Sequence, residues 1–217
     1  MYNKEFFNKV FSNKRMERYF NAHPLDERKA ILHYQCNLEL AESFYICLSV
    51  FEIALKNSLS RELEIMTGEK DWYSIFLATP ELMNLNDYIT RADQQIAQRK
   101  EISSPDKIIA ELSLGFWVAL FNKKYERLLW KSLRKAFPYM PKKDKQRKNI
   151  SNPLNIIKSF RNRIFHNESI CWNLSEVEKI HDIIVTAIMW IDKDIPEWVK
   201  SFDRFEEIKN KIKKTIE

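Results

Sequence analysis

The sequence predicts an all-α protein, and three observations carry that prediction. Only two glycines, Gly68 and Gly115, occur in 217 residues. Strand-like alternation of apolar and polar positions is scarce, and Leu and Ile recur at three- and four-residue steps among many Lys and Glu. The length suffices to bury a substantial core within one domain, with no need of a disulfide staple.

The elements follow in order. The first twenty residues, "MYNKEFFNKVFSNKRMERYF", interleave charge with aromatics and lack the apolar core of a secretory signal. From Asp26 to Thr67 apolar residues such as Ile31, Tyr34, Leu38, Leu48, Phe51 and Leu55 keep helical spacing, as one long helix or two in series, and Gly68 supplies the C-terminal cap. After "TGEKDW" a helix is expected over 81–99. "SSPDKIIAEL" then opens another, with Ser104 as cap and Pro105 in the first turn.

"KKYERLLWKSLRKAF" sets Lys124, Arg127, Lys131 and Arg134 on one side of a helix and Leu128, Leu129 and Leu133 on another. "FPYMPKKDKQRKN" breaks helix at its prolines and reads as a mobile basic connection. "SNPLNIIKSFRNRIFHNE" restarts helix, with Ser151 or Asn152 as cap and Pro153 in the first turn, and runs to about His166. "SEVEKIHDIIVTAIMWIDKD" follows with a capping box of Ser175 and Glu178, so the last two form a hairpin with a loop over 167–174. Its apolar run, residues 183–191, is far short of the roughly 20 residues of a membrane span and reads as core.

Charge is unevenly placed. Residues 122–148 hold eleven Lys/Arg against Glu126 and Asp144, a net +9; since the whole chain carries +6, everything else carries −3. A local excess of this size either solvates a surface or receives a polyanion. Scarce glycine excludes the phosphate-cradling loops of P-loop and Rossmann enzymes, so no nucleotide cofactor is expected. The three cysteines, Cys36, Cys47 and Cys171, form no CxxC pair, which fits a reducing cytoplasm. Glu178 and His181 make a single ExxH where a di-iron bundle needs two, and His33 with Cys36 lacks two further ligands, so no metal is expected.

The densest polar stretch is "SFRNRIFHNES", residues 159–169. Asn162 and His166, four apart, share a helix face, whereas Arg161 lies about 140° around the axis from His166 at 100° per residue. Arg161 must therefore reach round, or its target must come from another chain. Arg163 is the local competitor, three residues before His166. Imidazole and guanidinium together suit RNA cleavage by the internal 2′-hydroxyl, which needs a proton-exchanging group near neutral pKa and fixed positive charge for the phosphorane, and no metal.

Three stretches make the chain resemble the Abi-like family of bacterial abortive-infection proteins, which carry a HEPN-type domain: "FEIALKNSL" at 51–59, "ELSLGFWVALF" at 111–121 and "LNIIKSFRNRIFHNESI" at 154–170. The resemblance implies a HEPN-like helical bundle with additional N-terminal helices, here one domain over 1–217. It assigns Arg161, Asn162 and His166 to an RNxxxH catalytic motif, and a two-fold homodimer that brings two such motifs together. Metal-independent RNA cleavage in phage defence is the activity it implies, with an antitoxin or phage-derived trigger as a further partner. Lys124, Arg127, Lys131, Arg134, Arg163 and Asn167 are then the expected RNA contacts, with Asn167 capping the helix or bonding phosphate. Glu52 and Asn57 either support the site or form a polar link between helices. The alternative from another class is a catalytically silent HEPN-like module that binds RNA or a protein.

Overall fold

A computed structural model describes residues 2–216. Its elements are α1 (Lys4–Phe11), α2 (Asn13–Ala22), α3 (Glu27–Ser43), α4 (Tyr45–Thr67), α5 (Ile75–Ala78), α6 (Met83–Gln98), α7 (Pro105–Glu111), α8 (Leu114–Ala119), α9 (Glu126–Leu133), α10 (Arg147–Phe165), α11 (Leu174–Ile191), α12 (Ile195–Lys200) and α13 (Phe205–Ile216), and no strand occurs among the described residues.

The long apolar pattern from Asp26 resolves into two helices in series. Asp26 caps α3 by accepting from the Lys29 N–H, and Gly68 ends α4 in the left-handed conformation at φ +80°. The break falls at Phe44, which is fully buried and packs edge-on against Phe160 and Phe205. α4 is the axis of the bundle. It buries Leu48, Phe51, Leu55, Leu59 and Leu63, each contributing about 1.5–3 kcal/mol of transfer free energy, and packs on α8, α9 and α11. α10 packs on α8 and α11, α13 lies along α3, and α1–α2 form a hairpin against α3.

Four local expectations are corrected. The basic helix is shorter than the pattern: α9 has eight residues, flanked by 3-10 turns at Lys123–Tyr125 and Arg134–Ala136, and Leu128 is 37% exposed while Leu129 and Leu133 are buried. Buried Tyr125 and Phe137 anchor both ends and tighten the chain there. The connection after it is held rather than loose, since Met140 is buried and the Tyr139 N–H donates to the Trp190 carbonyl at 3.1 Å.

α10 begins at Arg147, well before Ser151, and carries Pro153 in its interior. Tertiary contacts override the proline signal: Ile150 is fully buried, and Arg147 donates from Nε to Glu126 and from a terminal nitrogen to the Phe121 carbonyl, both at 2.8 Å. Pro153 lacks the N–H that would bond four residues back. α11 is capped by Asn173, whose Oδ1 accepts from the Glu176 N–H. Ser175 donates to that same oxygen, and Glu178 instead meets Lys209 at 2.6 Å.

Candidate functional site

The C-terminal half of α10 alternates buried and exposed side chains. Leu154, Ile157 and Phe160 face the core, which turns Asn162 and His166 outward and Arg161 toward α4. The helix ends at Phe165, and Asn167 adopts φ +53°, a region asparagine tolerates better than most residues. Its N–H bonds the Ile164 carbonyl and the Glu168 N–H bonds the Arg163 carbonyl, both at 2.9 Å, so Asn167 closes the helix as expected.

Arg161 is half-buried at a cleft of about 320 Å³ between α4, α8 and α10. Its Nε donates to Glu52 Oε1 at 3.0 Å, and its guanidinium lies 4.0 Å from the Phe165 ring centre. Tyr45, Lys56 and Trp117 also line this cleft; Asn162 and His166 do not. The two sides of α10 are thus separate within one chain. Glu52 is brought to Arg161, but Asn57 is exposed in the neighbouring depression with Arg61 and Asp106. Arg163 turns away from the cleft: it donates to Glu168 at 3.3 Å and to the Ser169 carbonyl at 3.4 Å.

Lys124, Arg127, Lys131 and Arg134 are all exposed and none forms an ion pair among the described residues. Behind Arg134 lies Lys145, whose ammonium titrates below the usual lysine range because burial and then the nearby Arg134 and Lys142 disfavour its charge. The basic segment does not surround the motif. It leads into the N-terminal end of α10, where Arg147 fastens it, and from Arg147 the helix runs about 21 Å to Arg161 and about 28 Å to His166 at 1.5 Å per residue.

Sequence reasoning missed what holds the loop after the motif. Asn37 of α3 is buried, accepts from the Ile170 and Cys171 N–H groups at 2.7 and 3.2 Å, and donates to the Glu168 carbonyl at 3.4 Å. Arg15 donates to the Asn167 carbonyl, and Tyr19 and Ser169 share a hydroxyl bond at 2.8 Å. Trp172 lies between the His33 ring, at 4.3 Å, and the Arg18 guanidinium, at 4.2 Å. His33 is pushed down to about 4 by burial and then by the nearby His23, Arg18 and Lys29. An amide at position 37 within the apolar pattern of α3 was the available signal.

The ExxH pair is structural. Glu178 meets Lys209, while His181 bonds Asp203 at 2.6 Å and stacks on Phe205 at 4.2 Å. Among the described residues no three His, Cys, Asp or Glu side chains converge as a metal site, and no helix is long and apolar enough to cross a membrane. No family model, curated protein or solved structure matches the chain.

Proposed function

We propose that the protein is a metal-independent endoribonuclease of the abortive-infection type, acting in the cytoplasm as a phage-defence effector. One observation carries the reading. Of the four histidines, His23 and His33 bond each other at 3.1 Å and His181 bonds Asp203, whereas the side chain of His166 is exposed and makes no hydrogen bond among the described residues. An imidazole left over by the fold, on a helix end held from behind by buried contacts, is available for proton exchange.

In the proposed reaction the 2′-oxygen attacks phosphorus, the bond to the 5′-oxygen breaks, and a 2′,3′-cyclic phosphate and a 5′-hydroxyl result. His166 exchanges the proton with the attacking or leaving oxygen, and Arg161 holds the phosphorane charge. Because one chain presents these groups on different sides of α10, an isologous contact along the edge bearing Ser159, Asn162 and His166 would combine the cleft of one protomer with the imidazole of the other. An antitoxin or phage-derived trigger would act on this assembly.

The test is cleavage of single-stranded RNA in EDTA with analysis of the product ends. Cyclic or 3′-phosphate termini, loss of turnover exceeding loss of binding in His166→Ala, and no cut at a single 2′-deoxy position are expected. Cutting at that deoxy position, or a strict need for Mg²⁺, overturns the mechanism. The separation of the basic segment from the motif and the pairing of Arg161 with Glu52 favour a second reading, an RNA-binding module without turnover. Salt-sensitive RNA binding with intact RNA in every condition would establish it.

A further inference from the structure

We propose that the cleft between α4, α8 and α10 is a nucleotide site that selects an amino-bearing base, cytosine, adenine or guanine, beside the phosphate held by Arg161. The inference rests on the ribonuclease reading for its biological use, and on the cleft itself for its chemistry.

The volume of about 320 Å³ is at the small end of the range for ligand sites, which suits one nucleotide and excludes a duplex. Two aromatic rings stand at its edge, Tyr45 at 63% exposed on α4 and Phe165 at 50% on α10, the Arg161 guanidinium covering one face of Phe165. Single-stranded nucleic acids are gripped through such faces, since every base has a π surface to stack.

The charges add selectivity. Lys56 and Arg161 oppose Glu52 alone, so the cleft keeps one positive charge for a phosphate, and Lys56 has no ion pair among the described residues. Glu52 spends Oε1 on Arg161, while no donor among the described residues is bonded to its Oε2. A carboxylate oxygen in that position accepts from an exocyclic amino group, which cytosine, adenine and guanine carry and uracil does not.

The test uses the full-length protein and ligands that it cannot cleave: 3′-CMP, 3′-AMP, 3′-GMP, 3′-UMP and inorganic phosphate, titrated calorimetrically at low salt. All four nucleotides should bind at least about tenfold more tightly than phosphate, the size of one stacking contact, and the three amino-bearing ones at least about tenfold more tightly than 3′-UMP, the size of one hydrogen bond to a charged group. Tyr45→Ala should remove the advantage of the nucleotides over phosphate while phosphate binding persists, and Glu52→Gln, whose amide donates as well as accepts, should bring 3′-UMP level with 3′-CMP. Equal binding of phosphate and all nucleotides, indifference to Tyr45→Ala, or no binding because a second copy fills the cleft would each overturn the proposal. If the nucleotides behave as expected but RNA is never cut, the ribonuclease reading falls and the site stands. If RNA is cut in a His166-dependent way while the cleft variants change neither binding nor sequence preference, this inference alone falls.

Discussion

The two ends of α10 use charge in opposite ways. At the N-terminal end, Arg147 alone of the basic segment's cations forms an ion pair among the described residues, with Glu126, and lysines and arginines around it are exposed to solvent. At the C-terminal end three arginines are committed: Arg161 to Glu52, Arg163 to Glu168, and Arg15 to the loop backbone. Unneutralised charge attracts at a distance and organises little; neutralised charge fixes geometry and attracts little. One helix thus separates, by about 21 to 28 Å along its axis, a surface suited to capture from an edge suited to chemistry.

The largest test of the comparison is Asn37→Ala. It leaves the Ile170 and Cys171 N–H groups buried without an acceptor, and about 2–3 kcal/mol of stability should be lost in chemical denaturation. A loss under about 0.5 kcal/mol would mean the loop is held by other contacts. Acid is the next lever. His33 titrates near 4 in the folded protein against an ordinary 6.5, so the unfolded chain binds the extra proton first. Its contribution is complete above about pH 6.5 and is lost as pH falls toward 4. Hydrogen exchange of residues 166–173 should accelerate over this window while the N-terminal turns of α10 stay protected, and His33→Gln should reduce the pH dependence.

Smaller effects sharpen the contrast. Glu52→Ala should cost about 1 kcal/mol or less, because the pair it breaks is partly exposed, and should free Arg161 for phosphate. Tighter binding of inorganic phosphate by this variant than by the parent would show that the pair competes with ligand. Neutralising Lys124, Lys131 and Arg134 together should change stability by no more than about 0.5 kcal/mol, yet flatten the logarithmic salt dependence of RNA binding by roughly 2, at about 0.7 per phosphate contact on a single strand. An unchanged salt slope would reduce the basic segment to a solvated surface.

The helices were legible because glycine is scarce and the apolar spacing is long, and Gly68, Ser104 and Pro105 stand where their backbone preferences place them. Boundaries were misread where two local signals competed. Pro153 marks a helix start only if nothing upstream is anchored, and the burial of Ile150 and the clamp on Arg147 anchor it. Asn173 and Ser175 are both good caps, and Ser175 ends up bonding Asn173. In the site, the shared face of Asn162 and His166 and the divergence of Arg161 followed from 100° per residue, while which face points outward did not. The partner of Arg161 remained open beside Asn57, because four-residue steps along α4 do not say which turn meets α10. Asn37 stands out as an amide within the apolar pattern of α3, but that signal does not name the loop it grips, since no periodicity links residues 133 apart.

That grip sets an order in time. Asn37 meets Ile170 and Cys171 across 133 and 134 residues, Tyr19 meets Ser169 across 150, and Arg15 meets Asn167 across 152. Contacts of such sequence separation close late, after the local helices have formed. On a ribosome, the helices that grip the loop are made first and wait for it, so the loop beside His166 cannot be seated until residues 15 to 171 have all been synthesised. A nascent chain stopped short of that point lacks the fixed motif end, whatever its earlier helices have already buried.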